Sequence, residues 1–356
     1  MPSPTRAVVV TVLIVLALVA SACGSDGPDE TLGTGSDPTP TAEATPTEGP
    51  SSPTPEPTVS QPDSTPEQTP EPTTNTDDGA AFPVTVTAAN GEVTVATRPQ
   101  RIVSLSPVAT EILFAIGAGD RVVAVDSASD FPAEAPTTDL SGFDPNIESL
   151  AQFDPDLVVI TFDPGELISG LDALGVPALL QPSALGLSDA YSQIEQLGAA
   201  TGHLAEATAL VASMQSDIAE LAAMVPERPE PLTYYFELDP TLYTVTTGTF
   251  AGEVLALAGM ESIADAADGA ASGFPQLSEE FILDADPDVI VLADTVCCGQ
   301  SADTVAARPG WDVLSAVGAG RILAIDDSLA SRWGPRVVDF LAAVVDETAE
   351  LTVGAR

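Results

Sequence analysis

From about residue 100 to residue 351 the apolar positions follow two alternating rhythms. Runs of four or five branched aliphatics suit strands buried on both faces of a parallel sheet, and stretches with apolar residues three and four apart suit helices with one buried stripe. In order, the pattern predicts a strand at IVSL, a turn and helix start at Ser106-Pro107, a helix from Thr110 to Ile116 stopped by Gly117 to Gly119, and a strand at RVVAV. A short helix at Glu148, the strand LVVIT, a helix from about Glu166 to Leu174 and the strand VPALLQ follow. From about Ser188 to Met224 the pattern is helical, ending in one helix of about twenty residues that spans about 30 Å. A second block opens with a strand around TYYFEL and closes with a helix from Pro335 through Leu351. Ahead of both, FPVTVTAANGEVTVATRP alternates with period two about Asn90-Gly91, a hairpin signal.

The two blocks share an internal repeat. Glu148 is followed by Asp154-Pro155-Asp156 and LVVI; at the same spacing, Glu280 is followed by Asp286-Pro287-Asp288 and VIVL. Each Pro is expected to hold the preceding Asp in extended geometry and so end a short helix. Upstream of each copy, Glu111-ILFAI-Gly117 and Glu253-VLALA-Gly259 pair a carboxylate with a Gly at a helix C-terminus. The expected fold is α/β: two Rossmann-like lobes with parallel sheets, bridged by a long backbone helix, with a ligand cleft between them. The boundaries read as an N-terminal lobe over 82–202, including the hairpin, a bridging helix over 203–226 and a C-terminal lobe over 227–356.

The N-terminal quarter is different. Arg6, the apolar run AVVVTVLIVLALVA and the small residues Ala20-Ser21-Ala22 before Cys23 read as a signal peptide over 1–23, in the pattern of a bacterial lipoprotein with Cys23 as the lipidated residue. Residues 24–81 are Pro, Thr, Glu, Ser, Gly and Asp with few aliphatics, a composition that cannot offset chain entropy by burial, and read as a disordered tether with a reach of roughly 40 Å.

Charge and composition narrow the chemistry. The formal net charge is −43 and all ten basic residues are Arg, which excludes the basic footprint that nucleic acid requires. One His and three Cys leave too few ligands for a structural zinc or imidazole-rich metal site. His203 reads as a solvated turn residue with no nucleophile beside it. No phosphate-binding GxxxxGK[ST] loop occurs. Cys297-Cys298 follows the VIVLAD strand, where a parallel α/β lobe presents loops to its cleft. A vicinal disulfide, a thiolate metal site and two ordinary thiols all remain open, while a catalytic thiol is disfavoured because no His or Lys stands nearby.

RIVSLSPVATEILFAIGAGDRVVAV, DPDLVVI, TGTFAGEVLALAGMESIAD, PQLSEEFILDADPDVIVL, ARPGWDVLSAVGAGRILAID and GPRVVDFL resemble, as an ordered set, the extracytoplasmic binding proteins of ABC importers for vitamin B12, ferric siderophores and haem. The resemblance implies a non-catalytic, monomeric receptor without intrinsic cofactor or bound metal ion. It would capture a bulky metal chelate, a ferric siderophore or cobalamin-type corrinoid, and deliver it to a membrane permease served by an ATPase, from the outer face of the cytoplasmic membrane. By resemblance Glu148 and Glu280 contact Arg residues of the permease; both also follow a capping residue, Asn146 or Ser278, where a helix dipole favours an acid. The cleft positions implied are Phe143, Phe162, Tyr243, Phe274, Arg332 and Trp333, aromatic walls with one cation. Strand alternation keeps Tyr234, Tyr235 and Phe236 from all lining that cleft. Ala128, Gly142 and Thr161 stand where B12 receptors carry aromatic side chains, which opens the alternative of a haem receptor with Tyr243 as axial ligand. An acid-pair hydrolase is a more distant alternative.

Overall fold

A computed structural model describes residues 81–349 and 351. It opens with an antiparallel hairpin of β1 (Val84–Ala88) and β2 (Gly91–Val95). Ala88 pairs with Gly91, so the turn is Ala89-Asn90, one residue ahead of the expected Asn90-Gly91. The reason is tertiary: the Asn90 amide donates to Ala178 O at 2.9 Å and accepts from Leu180 N at 3.1 Å. It thereby satisfies the open edge of the first sheet.

The first lobe then runs β3 (Ile102–Leu105), α1 (Pro107–Ala115), β4 (Val122–Val125), α2 (Ile147–Ala151), β5 (Leu157–Ile160), α3 (Leu167–Ala173), β6 (Ala178–Leu180) and α4 (Leu187–Thr201). Next comes α5 (Leu204–Met224). The second lobe runs β7 (Leu232–Glu237), α6 (Phe250–Leu257), β8 (Met260–Ser262), α7 (Glu279–Ala285), β9 (Val289–Leu292), α8 (Ala302–Ala306), α9 (Ser315–Gly318), β10 (Ile322–Ala324), α10 (Asp327–Ser331) and α11 (Val337–Thr348). Both sheets are fully parallel, ordered β4-β3-β5-β6 and β8-β7-β9-β10. Each therefore reads second, first, third, fourth in chain order, so the sequence repeat is a repeat of topology. The order reverses between the first and third strands of each lobe, the place where open α/β sheets hold ligands beyond their C-terminal ends.

Strand alternation divides the core into three layers. Leu157 and Val159, with Tyr234, Phe236, Val289 and Val291, face one continuous core together with α1, α4, α5, α6 and α11. Val103, Leu105, Val158 and Ile160 face an outer layer of the first lobe, and Tyr235, Ile290 and Leu292 face one of the second, with Trp311. All three aromatic residues of the β7 run are thus core. Helix α5 packs on both α4 and α11, joining the lobes along their backs.

The Asp-Pro-Asp copies end their helices, but by a different geometry from the one expected. Asp154 and Asp286 have φ of 47° and 42°, in the left-handed region instead of extended. Proline disfavours the right-handed helical region for its predecessor, and Asp tolerates the left-handed one. The second Asp ties strands together: Asp156 accepts from Gln100 N and Arg101 N at 2.7 and 2.8 Å, and Asp288 accepts from Thr233 N at 3.0 Å. Gly117 and Gly259, with φ of 84° and 73°, end α1 and α6 in the conformation only glycine adopts freely.

Candidate ligand-binding cleft

The segments that follow the strand C-termini of one lobe meet those of the other. Glu111, in α1 with its side chain 1 % exposed, accepts from Arg332 Nη1 at 2.9 Å and from Arg336 Nη2 and Nε at 2.6 and 3.0 Å. Arg332 also reaches Asp130 at 2.8 Å and the Ala128 carbonyl at 3.0 Å. The repeat supplies a reciprocal contact: Glu253 in α6 accepts from Leu187 N at 2.9 Å, at the start of α4 in the first lobe. Trp333 adds a third, its indole N–H donating to Gln193 Oε1 at 2.9 Å. The segments beyond the C-terminal edges of the two sheets therefore meet, and the space beside these contacts is the candidate ligand site.

Apolar exposure marks the same edges. Among the described residues ten large apolar side chains are exposed, and six of them, Phe131, Phe143, Phe162, Leu185, Phe274 and Val296, follow the C-terminal end of a parallel strand. Isolated exposed apolar residues need no explanation, but concentration on one edge does. Phe143, 67 % exposed, and Phe162 form an aromatic pair with ring centroids 5.5 Å apart, beyond β5 at the reversal point of the first sheet. Phe131 carries the Arg336 guanidinium 4.2 Å above its ring. Tyr243 is half-buried and bridged to Gln276. Gly142 has no room for a side chain, since a Cβ there would lie 2.7 Å from Asp126 Oδ2.

Behind each edge lies a buried polar group. In the first lobe Ser104, Thr110 and Ser129 form a hydroxyl chain at 2.9 and 3.0 Å ending on Asp126, to which Ser129 donates. Burial pushes Asp126 above the usual carboxylate range, against the opposing pull of Ser129 and Arg332. In the second lobe Glu237, the last residue of β7, is wholly buried and held bidentately by Arg308, which stacks on Trp311. Asp294, two residues beyond β9, is equally buried; desolvation, then the Glu237 charge, raises it to about 7. Of the two acids Arg308 pairs with Glu237 alone, and both carboxylate oxygens of Asp294 are buried without a hydrogen-bond partner.

The remaining sequence candidates are placed as follows. Glu148 and Glu280 are exposed on the first turns of α2 and α7, behind Asn146 and Ser278, whose side chains cap Ser149 N at 2.9 Å and Phe281 N at 3.1 Å. Cys297 and Cys298 are exposed free thiols just past β9, their sulfurs 2.6 Å apart. Cys23 and residues 24–80 of the tether lie outside the described residues, as do residues 350 and 352–356 of the C-terminal lobe. His203 is corrected: it is 8 % exposed, precedes α5, and its Nδ1 lies 3.1 Å from Thr201 Oγ1. The chain folds back sharply between α4 and α5, which buries the residue at the corner. Arg332, the cation among the implied cleft positions, is paired within the chain with Glu111 and Asp130. Glu111 and Glu253 were visible as repeat landmarks; Arg336 and the Glu237–Asp294–Arg308 group carry no local motif.

Residues 102–329 match the sequence profile of a family described as periplasmic binding protein. The chain belongs to that family. It is 34 % identical over 281 residues to the uncharacterized ABC transporter substrate-binding lipoprotein YvrC of Bacillus subtilis, covering 76 % of this chain and 85 % of that one. It is 30 % identical over 295 residues to a cobalamin-binding protein of Halobacterium salinarum, covering 78 % of each. Among solved structures, the vitamin B12 binding protein BtuF of Vibrio cholerae superposes with a TM-score of 0.58 at 26 % identity over 70 % of this chain and 96 % of that one. The haem-binding protein RhuT of Roseiflexus superposes with a TM-score of 0.62 at 26 % identity, over 70 % and 99 %. The chain is thus a substrate-binding protein of the periplasmic type and not an enzyme. Among the described residues no helix is long and apolar enough to cross a membrane.

Proposed function

We propose that this binding protein captures a large amphipathic metal chelate, a cobalamin-type corrinoid or a ferric siderophore, between its lobes and hands it to the permease of an ABC importer. The observation that carries the reading is the clustering of exposed Phe and aliphatic side chains on the facing sheet edges, with Phe143 and Phe162 paired at the reversal point. Such walls suit a flat or macrocyclic ligand with an apolar body and polar rim. The relatives named for cobalamin weight the reading toward a corrinoid. A Cβ at Gly142 would meet Asp126, and in this reading Phe143 and Phe162 supply the aromatic contact.

Glu148 and Glu280 would dock the permease, one from each lobe, and Cys23 with the 24–81 tether would anchor a monomeric receptor at the outer face of the membrane. The hydrolase alternative is dropped: the acids Glu237 and Asp294 are sealed from solvent, and the family is one of binding proteins. Titration of the chain with cobalamin, haem and a panel of ferric siderophores, read by Trp and Tyr fluorescence, tests the proposal. Saturable quenching by a corrinoid or siderophore, weakened at least tenfold in F143A/F162A, is the expected result. Saturation by haem alone would move the assignment to the haem receptors, and no response from a folded chain would sink it.

A further inference from the structure

The pair Cys297-Cys298 is not used by the cleft or by docking, and its setting is specific. The loop leaves β9 at the reversal point of the second sheet and is pinned from below by Asp327, which accepts from Val296 N at 2.9 Å, Cys297 N at 2.7 Å and Thr295 Oγ1 at 3.1 Å. Gln300 closes the loop, donating from N to Asp294 O at 3.3 Å and accepting from Arg308 at 2.8 Å. Loop backbone and neighbours are therefore fixed while both thiols stay open to solvent. Adjacent exposed thiols have two fates in this setting, a metal thiolate or a disulfide. The first would set two thiolate sulfurs beside the Asp327 carboxylate and would need further ligands to complete a metal site. Among the described residues no group of three or more His, Cys, Asp or Glu could hold a metal ion. A disulfide is neutral and removes both conflicts.

We propose that Cys297 and Cys298 are a reversible two-electron redox site on the rim of the cleft, closing to a vicinal disulfide against the disulfide of an extracytoplasmic thiol oxidant. One sulfur attacks the oxidant's disulfide and releases one of its thiols; the second sulfur displaces the other. The two protein S–H bonds are lost, one S–S bond forms, and the oxidant leaves as a dithiol with two electrons and two protons more. Adjacent Cα atoms stand about 3.8 Å apart, below the usual span of a bridged pair, so the bond is readily reduced again and the site is a switch instead of a staple. Ring closure fixes the peptide between the two residues and so the stretch 295–300. Asp327 begins α10, whose end carries Arg332 to Glu111, so the loop and the contact between lobes share one short helix.

The test uses the full chain without cargo, so its outcome does not depend on the ligand. The chain is incubated with oxidised glutathione or a disulfide oxidoreductase, alkylated, and mapped by peptide mass, which separates this pair from Cys23. The expected result is a 297–298 peptide about 2 Da lighter than its reduced form and closed to alkylation. Dithiothreitol restores two alkylatable thiols, and amide exchange across 294–301 is slower in the oxidised chain. Two alkylated thiols after oxidant treatment, or a glutathione adduct on one thiol without a bridge, would overturn the proposal. C297S and C298S controls should each give the single-thiol adduct and no mass loss.

Discussion

Nη1 of Arg332 lies 2.9 Å from Oε1 of Glu111, across the cleft and 221 residues along the chain. Arg336 shares the same carboxylate from the same side. In the mirror position of the repeat, Glu253 of the second lobe holds the start of α4 in the first. The two landmark acids are thus reciprocal ties, each lobe reaching into the other at the cleft. Together with α5, which packs on α4 and α11, they join the two lobes.

Removing the Glu111 charge should cost more than removing either arginine. Glu111→Gln leaves two guanidiniums facing each other in a site where their side chains are only 12 and 19 % exposed, a loss of up to about 3 kcal/mol. Arg332→Ala leaves Glu111 paired with Arg336, and the loss should be about 1 kcal/mol. Urea unfolding of both variants and of the double variant measures this. Equal losses, or strict additivity, would mean the three groups do not act as a network.

Asp294 makes stability fall with rising pH. Its folded value near 7, raised by burial and by Glu237 with Asp327 nearby and Arg308 opposing, lies above the 3.8 of an ordinary Asp. The folded chain therefore keeps a proton that the unfolded chain releases. The contribution is full below the unfolded value, declines from about pH 4 to pH 7, and is flat above. Asp294→Asn cannot titrate, so its stability relative to the parent should rise by up to about 1.4 kcal/mol per pH unit through that window. Parallel pH profiles for the two proteins would show that Asp294 is not the titrating group.

Much of the fold was legible because it repeats. Branched aliphatic runs at matching offsets announced two parallel sheets, and the long stripe of apolar positions announced α5. The hairpin turn was off by one residue because Asn90 serves a distant edge strand, and His203 was misjudged because burial at a corner between helices leaves no local signal. Phe143, Phe162 and Phe274 entered through the family resemblance, and the structure leaves all three exposed. Arg336 and the Glu237–Asp294–Arg308 group did not stand out, since their meaning lies in partners tens to hundreds of positions away.

Close packing beneath the cleft should make Gly252 intolerant of a side chain. A Cβ there would lie 2.2 Å from the Thr246 carbonyl oxygen and 2.6 Å from Thr247 Cα, backbone atoms that cannot swing aside. Gly252→Ala should lower stability by about 1–3 kcal/mol and displace the 246–249 turn that caps α6. Wild-type stability in thermal melts of the variant would show that the turn yields freely.

The final expectation concerns Glu148 and Glu280. Each is exposed, heads a short helix behind a satisfied cap, and is otherwise unneeded by the fold: the N-cap bonds of Asn146 and Ser278 persist without them. A dipole role alone is worth about 0.3–1 kcal/mol per site. Docking on cationic permease groups would make the charge matter far more for transport than for stability. Charge reversal at both positions, to Arg, should therefore shift the unfolding midpoint little and leave cargo affinity unchanged. Stimulation of ATP hydrolysis by the cognate transporter in vesicles should fall by at least tenfold, with each single reversal intermediate. Undiminished stimulation by the double variant would reduce both residues to helix-terminal acids.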